Sequence, residues 1–281
     1  MSKLLSTIGA AIIAGFAFAG AAQAGPVFLT GHDPDFHSQP GAGLGHDLLE
    51  TALSYVTGGT YNSGTPKFLW VEAAPADLGG IPGGHLYGVN GLATLGLVQG
   101  VHFDTVNGGG FLGANLSNYS AIAVASTFGG LLSAAELTAL TGRAVDIAAF
   151  VNAGGGLFAS AECYPCGANL AGSAANLFAF VPVTVTSIGA SPPFHVTPFG
   201  AGLGLTDADM NDPTHNSFGL VGGLNIVDTD AAGNATTLAG NVLIGDGEFI
   251  PVEGVPEPAT LALVGAGLLG LARIRRRKPK A

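Results

Sequence analysis

Residues 119–163, YSAIAVASTFGGLLSAAELTALTGRAVDIAAFVNAGGGLFASAEC, carry the pattern from which the architecture follows. An apolar run (YSAIAVAS, 119–126) meets a Gly129-Gly130 turn, and Ser133 then stands three residues before Glu136, the spacing of a helix-starting capping box. Apolar residues continue to about Asn152, Gly154–Gly156 end the helix, and a second apolar run (GLFASAE, 156–162) follows. Strand, one long helix over 133–152 and strand at this spacing predict a right-handed crossover between parallel strands. Because both strands are apolar almost throughout, the sheet they belong to should be covered on both faces. The expected class is α/β, a mainly parallel sheet with helices on both faces and Gly-rich loops.

Upstream, residues 26–30 read as a short strand ending in the loop Gly31-His32-Asp33-Pro34-Asp35-Phe36-His37. Leu48, Leu49, Ala52, Leu53 and Val56 recur at helical spacing and predict a helix over 44–56. KFLWVEA (67–73) reads as a second strand, 89–98 as a short helix and 101–106 as a third strand. Downstream, a short helix (168–178) leads to a strand (181–186). Two further strands, 224–228 and 236–243, flank an Asp-Ala-Ala-Gly-Asn turn. No internal repeat is evident.

The order of these elements and the phrase YSAIAVAS…DIAAFVNAGGGLFASAE resemble the class I glutamine amidotransferase-like folds, flavodoxin-like sheets that lead into a nucleophile elbow. The likeness covers residues 26–190. It implies a nucleophilic Cys near Cys163, but Ala-Glu-Cys-Tyr-Pro-Cys-Gly stands where the family has Gly-x-Cys-x-Gly. No late His-x-Glu pair completes a triad, so the resemblance does not carry catalysis to this chain.

The two ends have a different character. Residues 1–24 read as a signal peptide: Lys3, an apolar and small stretch from Leu4 to Ala22, and Ala22-Gln23-Ala24 before Gly25. An uncleaved anchor is the alternative. At the other end Pro256-Glu257-Pro258 precedes an apolar run, 259–272, and a basic cluster with Arg273, Arg275, Arg276, Arg277 and Lys278. Fourteen apolar residues are short against the ~20 that span a bilayer, so the segment reads as a marginal transmembrane helix with its C-terminus in the cytoplasm. Residues 255–281 resemble the PEP-CTERM sorting tail of Gram-negative bacteria. The resemblance implies an exosortase-type transpeptidase as partner, removal of the tail, and delivery to the cell surface or exopolysaccharide matrix; a plain membrane anchor is the alternative. With the signal peptide it also implies the Sec translocon and signal peptidase. A single α/β body over 25–254 is expected between these ends.

Of the nine Lys and Arg residues only Lys67 and Arg143 fall in that body, against eighteen of the nineteen acids, giving a net charge near −16. Such a surface repels phosphate backbones, which argues against nucleic-acid binding. Gly supplies 46 positions, while 48% apolar content is too high for disorder.

In an open α/β sheet, ligands bind beyond the carboxyl ends of the strands. His32, Asp33, Asp35 and His37 bring four potential ligands to the end of the first strand, and Glu162 follows another strand into the same crevice. Imidazole with carboxylate suits Zn²⁺ or a similar ion. Helix capping and loop satisfaction are the other reading of these residues. Asp207-x-Asp209-x-Asn211-Asp212 and Asp228-x-Asp230-x-x-Gly233-Asn234 are oxygen-rich loops of a kind that binds Ca²⁺, without the Glu at position twelve of an EF-hand, and are also ordinary turn sequences. Cys163 and Cys166 are the two cysteines, and in an exported chain they most simply form a short disulfide, with a redox pair as the alternative.

We expect an exported, envelope-sorted surface or matrix protein whose α/β body acts in binding or structure. The competing expectation is a secreted metal-dependent hydrolase built on His32, Asp33, Asp35, His37 and Glu162; a thiol oxidoreductase at Cys163 and Cys166 is a third.

Overall fold

The computed structural model describes residues 23–40, 46–161, 170, 177–190, 192–210, 214–219 and 222–251. Ala24–Glu253 form one compact unit. The second unit, Met1–Gln23 with Gly254–Ala281, lies outside the described residues except for Gln23, so the expected signal peptide, apolar tail helix and sorting tail are not described structurally. Cys163, Cys166 and Glu162 also lie outside them. Among the described residues no helix is long and apolar enough to cross a membrane.

Eleven strands form one sheet. Its core is parallel: β1 (Gly25–Thr30), β2 (Phe68–Val71), β3 (Phe103–Val106), β4 (Ala121–Val124) and β5 (Gly156–Ser160) lie in the order β3-β2-β4-β5-β1. Register aligns Leu69, Ile122, Leu157 and Val27 in one row across four strands, and Trp70, Ala123, Phe158 and Phe28 in the next. All eight are buried, so the continuous apolar runs of the sequence become rows of cross-strand contacts.

Beyond β1 the sheet turns antiparallel. There β10 (Ala235–Ile244) pairs along the whole of β1, followed by β8 (Thr214–Phe218) and β6 (Val185–Ala190). The strands β9 (Asn225–Thr229), β11 (Phe249–Pro251) and the short β7 (His195–Val196) pair off this path. The expectation of a mainly parallel sheet therefore holds for its core and not for its C-terminal side. Hairpin connections such as Asp230–Asn234, too short for a crossover, force neighbours antiparallel.

Seven α-helices are described: α1 (Pro34–His37), α2 (His46–Val56), α3 (Val89–Thr94), α4 (Gly108–Gly113), α5 (Ala134–Gly142), α6 (Ala144–Asn152) and α7 (Pro198–Gly202). Leu48, Leu49, Ala52, Leu53 and Val56 of α2 are buried, and the helix packs on β1 and β5. The single helix expected over 133–152 is two. Thr141-Gly142 is a weak helix-forming pair, and Arg143 leaves helical geometry at φ −112° and ψ 20°. Its guanidinium donates to the carbonyls of Phe111 (2.6 Å) and Ala114 (2.9 Å) at the end of α4 and lies over the Phe111 ring. The strand expected at 181–186 starts later, at Val185, because Leu177–Phe180 form a turn and Pro182 has no N–H to give a ladder. The helix expected over 168–178 lies largely outside the described residues, and its last two positions belong to that turn.

Candidate buried carboxylate site

The loops leaving β1, β2 and β4 at their carboxyl ends converge, as a parallel sheet requires. Pro34, with its φ preset and no N–H to lose, opens α1 directly after β1. This one-turn helix carries Asp35 inward. Glu72 is the first residue past β2, and Ser126 follows β4 by two residues.

Glu72 is fully buried and receives four N–H donors. They come from the Trp70 indole (2.7 Å) and the backbone amides of Gly88 (2.7 Å), Leu131 (3.0 Å) and Val89 (3.2 Å). One carboxylate thus ties β2 to the start of α3 and to the loop after β4. Asp35, equally buried, accepts the Ser126 amide at 2.9 Å through Oδ2, while its Oδ1 has no partner. Ser126 Oγ accepts the Gly130 amide, and the Gly130 carbonyl lies 2.9 Å from His85 Nδ1.

Two glycines make the approach possible. A Cβ on Gly88 would stand 3.0 Å from Asp35 Oδ2 and 3.0 Å from Glu72 Oε1, and a Cβ on Gly130 would overlap Asp35 Oδ2 and crowd Ser126. Any larger residue would displace the acids.

Burial, and next the neighbouring Asp35, push Glu72 up to about 8; burial likewise pushes Asp35 up. All four donors point at Glu72 as acceptor, whereas Asp35 Oδ1 meets no donor. The pair therefore titrates as a unit and retains a proton above the ordinary carboxylate range.

The ligand set expected in the first loop separates three ways. His32 turns toward β9, where Nε2 lies 3.1 Å from Asp228 Oδ2, which also accepts the Thr236 hydroxyl at 2.6 Å. The His32 ring meets Phe194 edge-on at 4.8 Å. Asp33 and His37, one helical turn apart, face each other at 3.3 Å, and Asp35 joins Glu72. Among the described residues no three His, Cys, Asp or Glu side chains form a group able to hold a metal ion. Glu162 lies outside the described residues; the acid seen to meet Asp35 is Glu72, which the sequence alone did not single out. Its signal was a lone acid closing the apolar run FLWVE.

The two oxygen-rich loops are engaged internally. Asp230 accepts the amides of Ala232 (2.9 Å) and Asn234 (2.8 Å) and the Asn234 side chain (2.7 Å), which closes the β9–β10 turn. Asp207 accepts the Val196 amide at 2.8 Å and lies 3.3 Å from His195, and these bonds hold it below the usual carboxylate range. Asp209 caps Thr206 through its amide and hydroxyl; Asn211 and Asp212 lie outside the described residues.

Residues 254–278 match the PEP-CTERM protein-sorting motif. The motif marks an exported protein sorted to the envelope or cell surface of a Gram-negative bacterium, with an exosortase as its processing partner. No curated protein matches the chain, and no solved structure matches it. The PEP-CTERM match lies wholly in the tail, so the chemistry of the body rests on its own geometry. That geometry is of a closed site: two carboxylates hold three loops together and keep one proton between them.

Proposed function

We propose that the body is a non-catalytic surface or matrix module acting in binding or structure. Export would proceed through the Sec translocon and signal peptidase, followed by tail removal by an exosortase-type enzyme and association with exopolysaccharide. One observation carries the reading. At the carboxyl ends of β1 and β2, Asp35 and Glu72 are both fully buried and committed to backbone amides of the surrounding loops. A hydrolase needs an acid or metal-bound water facing its substrate. Here the acids face the fold.

The flavodoxin-type likeness is partial. In chain order the parallel strands run 3-2-4-5-1, which differs from the 2-1-3-4-5 of flavodoxin-type sheets in that β1 lies beside β5 rather than between β2 and β3. The charge of the body supports the choice of partner. Lys67 pairs with Asp104 at 2.6 Å, and Arg143 is held by two carbonyls and Asp146, so neither cation of the body is available to an anionic ligand.

The test is metal content and turnover, measured on the full chain exported in a Gram-negative host. The reading expects no stoichiometric transition metal and no hydrolysis of ester, phosphate, peptide or glycoside substrates. Stoichiometric Zn²⁺ lost in His32→Ala/His37→Ala, or turnover lost in Glu72→Gln with the fold intact, would replace it with the metal-dependent hydrolase.

A further inference from the structure

Away from the buried carboxylates, α2 shows two faces. One carries the apolar residues buried on the sheet; the flank carries Glu50, Thr51, Ser54 and Tyr55, two i,i+4 pairs. With Leu203, at the end of α7, these four line an open cavity of about 340 Å³. That size falls within the range of small-molecule sites.

Its polar groups are placed and unspent. Thr57, Thr94 and Thr138, in or just after their helices, turn their hydroxyls back onto helix carbonyls, whereas the hydroxyls of Thr51 and Ser54 bond to no described residue. Glu50 is fixed by Tyr61, whose hydroxyl donates to Oε1 at 2.5 Å, and Oε2 remains as an acceptor. The Tyr55 ring is held edge-on against Phe28 at 6.0 Å and stays half-buried at the cavity wall. The lining therefore offers two hydroxyls, one oriented carboxylate, an immobilised aromatic ring and one aliphatic side chain.

This chemistry selects its ligand class. Among the described residues no cation lines the cavity, and the body carries a net charge near −16, so phosphates, sulfates and uronates are disfavoured. A single carboxylate with no imidazole is a poor cage for a bare metal ion. What matches is a neutral molecule with hydroxyls around its rim and C–H groups on its face. We propose that the α2–α7 cavity is a subsite for one uncharged hexopyranosyl unit of a glycan, with Glu50, Thr51 and Ser54 bonding its hydroxyls and Tyr55 and Leu203 receiving its apolar face. The proposal rests on the binding reading above and gives it an address. A rigid helix face limits the ordering cost of binding, although one sugar ring supports only weak affinity, about millimolar.

The probes are cellotetraose, maltotetraose, mannotetraose and β-1,4-galactotetraose, with trigalacturonate and calcium chloride as controls, titrated against the full exported chain, labelled with ¹⁵N, and followed by the shifts of its amide NMR signals. At least one neutral tetrasaccharide should bind, and both Glu50→Gln and Ser54→Phe should weaken it about tenfold or more with circular dichroism unchanged. Tyr55→Ala is avoided because it removes the partner of Phe28. Binding of none of the neutral probes overturns the subsite, as does binding that both variants leave intact, or a trigalacturonate or calcium response at the same residues of equal strength. If the exported chain still sediments with exopolysaccharide while no probe binds, the subsite alone fails. Cleavage of any probe overturns the non-catalytic reading instead.

Discussion

Asp35 and Glu72 direct buried carboxylate oxygens at the same point, the place a Gly88 Cβ would occupy, each 3.0 Å from it. Two acids from different loops therefore lie within about 6 Å of one another, and among the described residues neither pairs with a cation. Four N–H donors to Glu72 and a proton retained by the pair make that arrangement tolerable.

Stability should fall as pH rises from the ordinary carboxylate range to about 8. Glu72 is raised from 4.5 to about 8 and Asp35 is raised as well, so across this window the folded chain keeps a proton that the unfolded chain has released. The slope is about 1.4 kcal/mol per pH unit for one such proton. Asp35→Asn, which removes the second cause of the Glu72 shift and leaves burial, should make it shallower. Urea midpoints of both proteins between pH 5 and 8.5 measure this, and a wild-type stability that rises over that interval would refute the shared proton.

Glu72→Gln should behave differently. Each Glu72 oxygen accepts two donors, so a side-chain amide necessarily points its NH₂ at two N–H groups. A loss of about 3 kcal/mol or more is expected, several times that of Asp35→Asn at pH 7. Equal losses in the two variants would contradict the weight placed on the four donors to Glu72.

Gly88→Ala tests the close approach. Gly88 has φ −59° and ψ −26°, a conformation alanine adopts freely, so no backbone strain enters. Its methyl would press on both carboxylates and on Trp70, and a loss of about 2 kcal/mol is expected in chemical denaturation. A neutral or stabilising effect would mean that the three loops are not closed on one another.

Much of this was legible in the sequence, for physical reasons. β2, β4 and β5 are buried throughout and β1 at every position but Pro26, so each appears as an apolar run, and α2 shows its buried face at helical spacing. β8 (THNSF) was not legible, because Thr214, Asn216 and Ser217 are polar yet buried among hydrogen bonds that only the fold creates. The break at Arg143 depends on carbonyls some thirty residues away. In the first loop, chain spacing located the acids at the crevice. It could not foresee that one turn of α1 sends Asp35 toward Glu72 while His32 turns to Asp228 and Asp33 to His37.

Arg143→Lys should not rescue what Arg143→Ala loses. The guanidinium reaches two carbonyls, Asp146 and the Phe111 face at once, which a single ammonium cannot reproduce. Both variants should lower stability by about 1–3 kcal/mol by thermal unfolding. A lysine variant as stable as wild type would show that the α4–α5 tie contributes little.

Replacing Arg275, Arg276 and Arg277 with alanine should impair sorting and leave the fold intact, since these residues lie in the matched tail and outside the compact body. Immunoblots of inner-membrane and surface fractions should show unprocessed chain accumulating. Normal surface delivery would remove the basic cluster from the sorting signal.

The closed character of the crevice is tested most directly by amide hydrogen exchange at Gly88, Val89, Ser126 and Leu131 in the exported chain. If the two carboxylates hold these loops shut, the four amides should exchange as slowly as those of β4 and β5, near the limit set by global unfolding. Exchange as fast as in the exposed Gly79–Gly84 loop would show a crevice that opens to solvent, and with it a site available for chemistry.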